Sequence, residues 1–320
     1  MTAATLQATA LPMRDGAITI GNLTDLYMSS YSGRDPTRIQ RLGWWVGQIG
    51  RYRLDEVTDD HLHVALETLT HRPARHYCGK DSDGQPIYKA KRRPITPATL
   101  NRYAASIGAV FSWAIRRRVA PKGWDHPGRR IERLTEDNGK TRFLSDDERT
   151  RLLAECKAAK WPRLYLLALM GLTTGARKGE LLGLRWDDVD LVGLLAHVGR
   201  SKNGDPKALP LVSAVVAELA RFKPAGGGGP ALVFPSTRNP GNANAFEQGW
   251  KDALKRARVR DFRFHDLRHS CASLLAQNGA TLLEIGDLLG HRQVSMTARY
   301  SHLAATHRTA LVNRVLGDLR

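Results

Sequence analysis

The sequence predicts a mainly α-helical protein with one small β-sheet, divided into a helical N-terminal domain and a mixed α+β C-terminal domain. Three observations carry this. Apolar residues recur at helical spacing in segment after segment, whereas strand-like runs occur only between residues 189 and 234. A stretch beginning near Trp124 and ending at Arg142 holds Gly, Pro and many charges but little that is apolar, and it divides the chain. A chain of 320 residues is also long enough for two cores.

Composition narrows the function. The apolar content of 42% is ordinary for a globular protein. The formal net charge is +18. Residues 1–140 hold 22 basic and 14 acidic side chains, and the remaining 180 residues hold 27 and 17, so both halves are basic. Two basic domains suit a grip on one polyanion, of which nucleic acid is the commonest. The plain alternative is a solvated basic surface. Cys78, Cys156 and Cys271 are odd in number and widely spaced, so neither a disulfide framework nor a paired metal motif follows, and a reducing cytoplasm is expected. No apolar run is long enough to span a bilayer, and no basic-then-apolar leader opens the chain.

In chain order, residues 1–17 are small and polar and read as a flexible N-terminal arm. A helical domain is expected over 18–125. Residues 23–31 form a short amphipathic helix. Asp35-Pro36 reads as an N-cap with Pro at the first helical position, opening a helix with Ile39, Leu42, Trp45 and Val46 on one stripe. Thr58 caps a third helix carrying Leu62, Ala65, Leu66 and Leu69. Residues 71–93 read as an exposed loop with at most a small hairpin about Asp83-Gly84. They end in the cluster Lys89, Lys91, Arg92, Arg93, a set of candidate phosphate contacts. Thr96-Pro97 opens the clearest helix of this half, with Leu100, Tyr103, Ile107, Val110 and Phe111 on its apolar face. Arg116, Arg117 and Arg118 at its end complement the helix dipole and are further candidates for DNA contact.

Residues 126–142 are expected as a linker and 143–320 as the second domain. Ser145 and Glu148 form a capping box before Leu152 and Leu153. Residues 164–172 read as a buried helix ending in Thr173-Thr174-Gly175. Residues 189–200 and 209–212 read as strands joined by a turn over 201–205 that contains Asn203-Gly204. Residues 231–234 read as another short strand, and 246–259 as a basic helix. A helix then runs to Gly279. A capping box of Thr281 and Glu284 opens a Leu-rich helix that stops at Gly290, and a last helical region reaches Tyr300. The tail, residues 304–320, is amphipathic through Leu311, Val315 and Leu319.

A polar constellation runs through the second half. His265 and Arg268, three apart, share one helical face. With Arg177, Lys202, His291 and Tyr300 they supply the parts for phosphoryl transfer without a metal. Two guanidiniums can hold the nonbridging oxygens of a phosphodiester by charge-assisted hydrogen bonds, where charge grows during displacement. A tyrosine, with an ordinary pKa of about 10, needs help to lose its proton, and His265 is the expected base and orienter. The leaving 5′ oxygen needs a proton, which Lys202 in the Asn-Gly turn can deliver; Lys207 is the competing assignment. Glu180, three after Arg177, orders the neighbouring side chains, and His291 bonds the phosphate. Taken singly, each residue has a bland reading. Arg177 and Glu180 would be a surface ion pair, Tyr300 a packing tyrosine, and His269 a structural histidine. Cys78 with His71 and His76 does not close a zinc set, Asp81 and Asp83 lack the rest of a calcium loop, and no glycine-rich phosphate loop occurs, so no metal or cofactor is expected.

The segments TGARKGELLGL, HDLRHSCASLL and LLGHRQVSMTARYSH, with the hairpin lysine, resemble the tyrosine recombinases of the phage-integrase branch. The resemblance covers most of the chain and implies a core-binding domain followed by a catalytic domain. It places the family pattern on Arg177, Glu180, Lys202, His265, Arg268, His291 and Tyr300, with Tyr300 as nucleophile forming a 3′-phosphotyrosine and freeing a 5′-hydroxyl. It further implies double-stranded DNA with paired recombination sites as partner, a homotetramer joined by exchange of C-terminal helices, room for an accessory DNA-bending protein, and a cytoplasmic location on the nucleoid. A mobile-element integrase is preferred over a Xer-like dimer resolvase because of the long basic segment before Thr96. Two rivals are a non-catalytic helix-turn-helix regulator built on residues 282–300, which leaves Arg177, Lys202 and His265 unexplained, and a type IB topoisomerase, against which the His-x-x-Arg pair speaks.

Overall fold

A computed structural model describes residues 18–84, 86–136, 142–199, 206–227, 229–304, 312–313 and 315–316. The arm over 1–17, the turn over 201–205 with Lys202, and Leu311 and Leu319 of the tail lie outside the described residues. The chain forms two compact units, residues 1–139 and 140–320.

The first unit packs four helices: α1 (Ile20–Ser29), α2 (Arg38–Ile49), α3 (Asp59–Thr70) and α4 (Pro97–Arg116). Thr19 and Thr58 accept hydrogen bonds from the first-turn backbone and fix where α1 and α3 begin. The α2 helix starts later than Asp35-Pro36 suggested. Thr37 holds the N-cap position, and the Asp35 carboxylate instead accepts from the Thr37 N–H and hydroxyl, forming a turn ahead of the helix. The apolar stripes meet in one core around Trp45, Ile107, Val110 and Phe111. Trp45 is wholly buried, and its indole N–H reaches the Tyr103 carbonyl at 2.9 Å, so the polar atom is satisfied inside the core.

Two expectations for this unit change. Residues 71–93 hold the hairpin expected about Asp83-Gly84, but it is long: antiparallel strands β1 (Pro73–Lys80) and β2 (Pro86–Pro94) take up most of the segment read as loop, with Tyr77 opposite Tyr88. Gly84, with φ of 77°, and Asp81, whose carboxylate accepts from the Asp83 N–H, close the turn. The charge of this segment hid its strand character, because lysine and arginine are tolerated on exposed strands. Residues 126–136, expected within the linker, lie against α4. His126 is buried beside Phe111 and bonds the Gly108 carbonyl at 3.0 Å, and Asn101 bonds the Leu134 carbonyl at 2.8 Å.

The second unit is built on α6 (Leu164–Thr174), which is apolar nearly all round and buried at Leu164 and from Leu166 to Met170. Around it pack α5 (Asp146–Lys157), α8 (Ser213–Phe222), α9 (Glu247–Arg256) and α10 (Asp266–Gln277). The Ser145–Glu148 capping box starts α5. Gly171 lets α10 come close: a Cβ there would stand 3.1 Å from Leu267. Phe246, Trp250, Phe262 and Phe264 form an aromatic cluster ahead of α10, with the Phe246 and Phe264 ring centres 4.8 Å apart.

The sheet is smaller than the sequence suggested. Residues 189–200 split into β3 (Val189–Asp190) and β4 (Leu195–Val198), because Leu194 takes φ of 56° and the Asp190 carboxylate caps the Val192 and Gly193 N–H groups. The third strand, β5 (Lys207–Pro210), begins two residues earlier than expected, pairing Val198 with Lys207. Residues 231–234 do not join the sheet; they meet residues 184–186 through an isolated bridge between Arg185 and Leu232. In chain order α7 (Lys178–Leu182) follows α6 directly and precedes the sheet. The chain then ends in α11 (Leu282–Leu289), α12 (Val294–Thr297) and a 3₁₀ segment, Ala298–Ala304, that carries Tyr300.

Candidate active site

The turn between α6 and α7 sets the site. Gly175 has φ of 59°, the left-handed conformation that ends α6, and a side chain there would collide with Leu289. Two residues later Arg177 occupies the N-cap position of α7. Its backbone N–H donates to Glu180 Oε2 at 2.9 Å and its guanidinium donates to Oε1 at 2.8 Å. Both carboxylate oxygens of a buried glutamate are thereby occupied by one arginine. Burial alone would raise the Glu180 carboxyl, but the Arg177 N–H and guanidinium, aided by the nearby Lys207 charge, hold it below the usual carboxylate range.

Arg268 reaches the same turn from α10. It is buried, and its Nη1 donates to the Gly175 carbonyl at 2.8 Å, tying α10 to the chain that presents Arg177. Burial, then the Arg177 charge, push its pKa down to about 10, so it remains a cation at neutral pH. His265 stands at the N-cap position of α10 and is exposed. Partial desolvation of the ring and the Arg268 charge keep its imidazole below the ordinary range.

His291 is placed by the left-handed Gly290 that ends α11, at φ of 67°. Its backbone N–H returns to the Gly286 carbonyl at 2.8 Å, and its ring Nδ1 lies 2.8 Å from the buried Thr297 hydroxyl. Burial, then the Arg268 and Arg177 charges, push its pKa down to about 4, so the ring is neutral near pH 7. Arg177, Lys207 and His291 line one cleft of about 580 Å³, together with Gly290, Arg292 and the carboxylates Glu284 and Asp287.

Tyr300 sits elsewhere. It is 2% exposed, in a pocket of Ala272, Ala276, Ile285 and Leu289. Its phenol oxygen is 2.6 Å from Nδ1 of His269. Burial raises the phenol pKa, against the Arg299 and Arg268 charges. The histidine on the phenol is therefore His269, to which the sequence assigned a structural part, and not His265, whose ring centre lies 5.6 Å from that of His269. Burial and the neighbouring His265 push the His269 pKa down to about 4; a neutral ring can accept the phenol proton's hydrogen bond.

The structure thus gathers Arg177, Glu180, Arg268 and His291 around one turn and one cleft, and sets Tyr300 in an adjoining apolar pocket. Lys202 lies outside the described residues; the lysine in the cleft is Lys207. In the first unit, Lys89, Lys91, Arg92 and Arg93 fall on β2. Lys91 and Arg93 line a cleft of about 710 Å³ with Arg72, Trp44 and Tyr103, and no carboxylate is on its described lining. Arg116 ends α4, Arg117 follows as its C-cap, and Arg118 turns away at φ of 57°; all three are exposed.

A model of the phage integrase family matches residues 142–307, just over half of the chain and the whole span from the capping box of α5 past Tyr300. The chain belongs to the phage integrase family. Relatives in this family include the integrase of Salmonella phage P22, 28% identical over 298 residues, which are 84% of this chain and 72% of that protein. Tyrosine recombinase XerC of Xanthomonas campestris pv. campestris is 29% identical over 225 residues, 68% of this chain and 67% of XerC. Across the first curated relatives the chain spans between 53% and 72% of their length. In fold, it is similar to the Tn1549 transposon integrase solved with a circular intermediate DNA, with a TM-score of 0.69 over 93% of this chain and 100% of that one, at 17% identity. A tyrosine recombinase of this family is an enzyme of DNA recombination, which accounts for the basic charge of both units.

Two residues at the site carried a sequence signal that was underweighted. His269, Ala272 and Ala276 are spaced at i, i+3 and i+7 on α10, the face that Tyr300 covers. Lys207 is two before Leu209 in a strand, which puts it on the inward side of the sheet.

Proposed function

We propose that this chain is a site-specific recombinase that cuts and rejoins DNA through Tyr300, serving the integration or excision of a mobile element. The convergence of Arg177, Arg268 and His291 from three separate elements on one turn and cleft supports this reading most directly. The two guanidiniums hold the nonbridging oxygens of the scissile phosphate, Glu180 fixes the first of them, and His291 adds a hydrogen bond. The Tyr300 oxygen loses its proton to a neighbouring base and attacks phosphorus. The bond to the 5′ oxygen breaks, and that oxygen takes a proton from Lys202 in the hairpin turn. The product is a 3′-phosphotyrosine and a 5′-hydroxyl. One phosphodiester is exchanged for another, so a second DNA hydroxyl can reverse the step without an external energy source.

The buried position of Tyr300 fits a nucleophile that moves into the cleft once DNA is bound. Lys89, Lys91, Arg92, Arg93 and Arg116–Arg118 are the proposed phosphate contacts of the first unit. The proposed assembly is a tetramer on two DNA sites, joined through the C-terminal segment, with an accessory DNA-bending protein as an optional partner.

The test is a nicked suicide duplex that traps the covalent adduct. Wild type should form an adduct that resists denaturation, and Tyr300→Phe should form none. Equal adduct from both would remove Tyr300 as the nucleophile. The second reading, a resolvase of chromosome or plasmid dimers, is favoured by the likeness to XerC. Sequencing the DNA beside the gene separates the two: att-like repeats at the ends of an inserted element support the first, and their absence with activity on a dimer-resolution site supports the second.

A further inference from the structure

We propose that Lys207 is a further catalytic cation, whose ammonium contacts a nonbridging oxygen of the scissile phosphate alongside Arg177 and His291. The inference rests on the recombinase reading above and adds a residue to it.

Strand geometry puts Lys207 where it is. Side chains alternate across a strand, so Lys207 shares a face with Leu209, which is wholly buried in the core. A lysine at the end of a strand ordinarily extends its stem and leaves the ammonium in water. Here the Nζ is buried and, among the described residues, has no hydrogen-bond partner. Its stem lies over the turn that presents His291: a Cβ built on Gly290 would be 3.6 Å from Lys207 Cδ. An ammonium has three donors to fill, and among the described residues none of them is filled, although Lys207 lines the cleft.

The charges around it state what is missing. Arg177 stands at the start of α7, Arg268 comes from α10, and Lys207 comes from β5; Glu180 is a nearby carboxylate. Both Glu180 oxygens are already bonded by Arg177. On the described cleft lining Glu284 and Asp287 add two carboxylates and Arg292 one cation; with Arg177, Arg268, Lys207 and Glu180 these make four cations against three carboxylates, one positive charge in excess. A phosphodiester carries one negative charge and gathers more on its nonbridging oxygens as the displacement proceeds. It supplies both the charge and the acceptors that Lys207 lacks. Burial pushes the Lys207 pKa down to about 8, with Glu180 opposing that shift, so the side chain is still mainly charged at pH 7. In this role Lys207 keeps its proton throughout; the proton for the 5′ oxygen comes from Lys202.

The experiment is single-turnover adduct formation on the nicked suicide duplex at saturating protein. Lys207→Met should react about 100-fold more slowly than wild type, with DNA affinity within about threefold. Lys207→Arg should recover part of the rate. Lys207→Gln carries the same test where the Met variant is unstable. A second duplex, with sulfur in place of the 5′-bridging oxygen, has a leaving group that needs no proton. On it the Lys207→Met defect should persist, while a Lys202→Met defect should vanish. A wild-type rate for Lys207→Met, with a wild-type adduct formed through Tyr300, overturns this inference and leaves the recombinase reading intact. Rescue of Lys207→Met by sulfur also overturns it, because Lys207 would then be the proton donor. No adduct from the wild type overturns both.

Discussion

Helix α10 serves two regions built in opposite ways. Near its start, Arg268 joins Arg177, Glu180 and Lys207 in a cluster held by hydrogen bonds and charge, with the Gly175 carbonyl as the fixed point. Further along, His269, Ala272 and Ala276 face Tyr300 in a pocket held by apolar packing, with one polar contact at the phenol among the described residues, that to His269. The cation cluster is held in place by the protein's own contacts, and in the proposed function its positive charge meets a phosphate. The tyrosine pocket buries its occupant and gives its phenol a partner, so the proposed nucleophile rests outside the cleft. Groups that stabilise charge benefit from being preorganised, whereas a nucleophile that is sheltered until it is needed limits stray reaction.

Breaking the apolar side should produce the largest change in stability. Leu289 packs under Tyr300 and is wholly buried, so Leu289→Ala should lower unfolding free energy by about 2–5 kcal/mol. Urea or thermal unfolding measures this; a loss below about 1 kcal/mol would mean that the pocket is loosely packed. Breaking the polar side should act on chemistry instead. Arg177→Ala and Arg268→Ala should still bind DNA but cleave it at least ~100-fold more slowly, equal to about 2.7 kcal/mol of transition-state stabilisation. Near-normal cleavage by either variant would take that arginine out of the site.

A pH profile sharpens the contrast. The folded Lys207 pKa of about 8 lies below its ordinary 10.5. The cation is present below pH 8 and is lost as pH rises through 8, so the rate of Lys207→Arg relative to wild type should climb above pH 8. The linkage for stability runs the other way: between about 8 and 10.5 the unfolded chain holds the extra proton, so this residue favours folding more as pH rises across that window. A constant ratio of the two rates from pH 7 to 9.5 would show that the Lys207 charge is not used. The smallest effect is expected at the phenol. His269→Gln should cost about 1 kcal/mol of stability and make Tyr300 easier to nitrate with tetranitromethane; unchanged nitration would mean that packing alone holds the ring.

Much of the fold was legible because its signals are local. The capping boxes at Ser145 and Thr281 mark the starts of α5 and α11, and the glycines at 175 and 290 mark the ends of α6 and α11. The hairpin over residues 73–94 was harder to read, since its strand residues are largely charged and carry no clear apolar alternation. The split of residues 189–200 turned on one aspartate capping a turn, which an apolar run conceals.

The sequence alone determined which chemical groups this protein holds and in what order: the arginines, histidines and tyrosine, the basic balance of both halves, and the helices that carry them. These follow from residue type and from periodicities of two and 3.6. Tertiary structure decided which groups meet. It brought Arg268 to the carbonyl of Gly175, 93 residues away, and turned Lys207 inward beside Leu209. It gave Tyr300 to His269 and not to His265. Hydrogen bonds and charge pairs act over a few ångströms in space, and chain distance does not encode that separation.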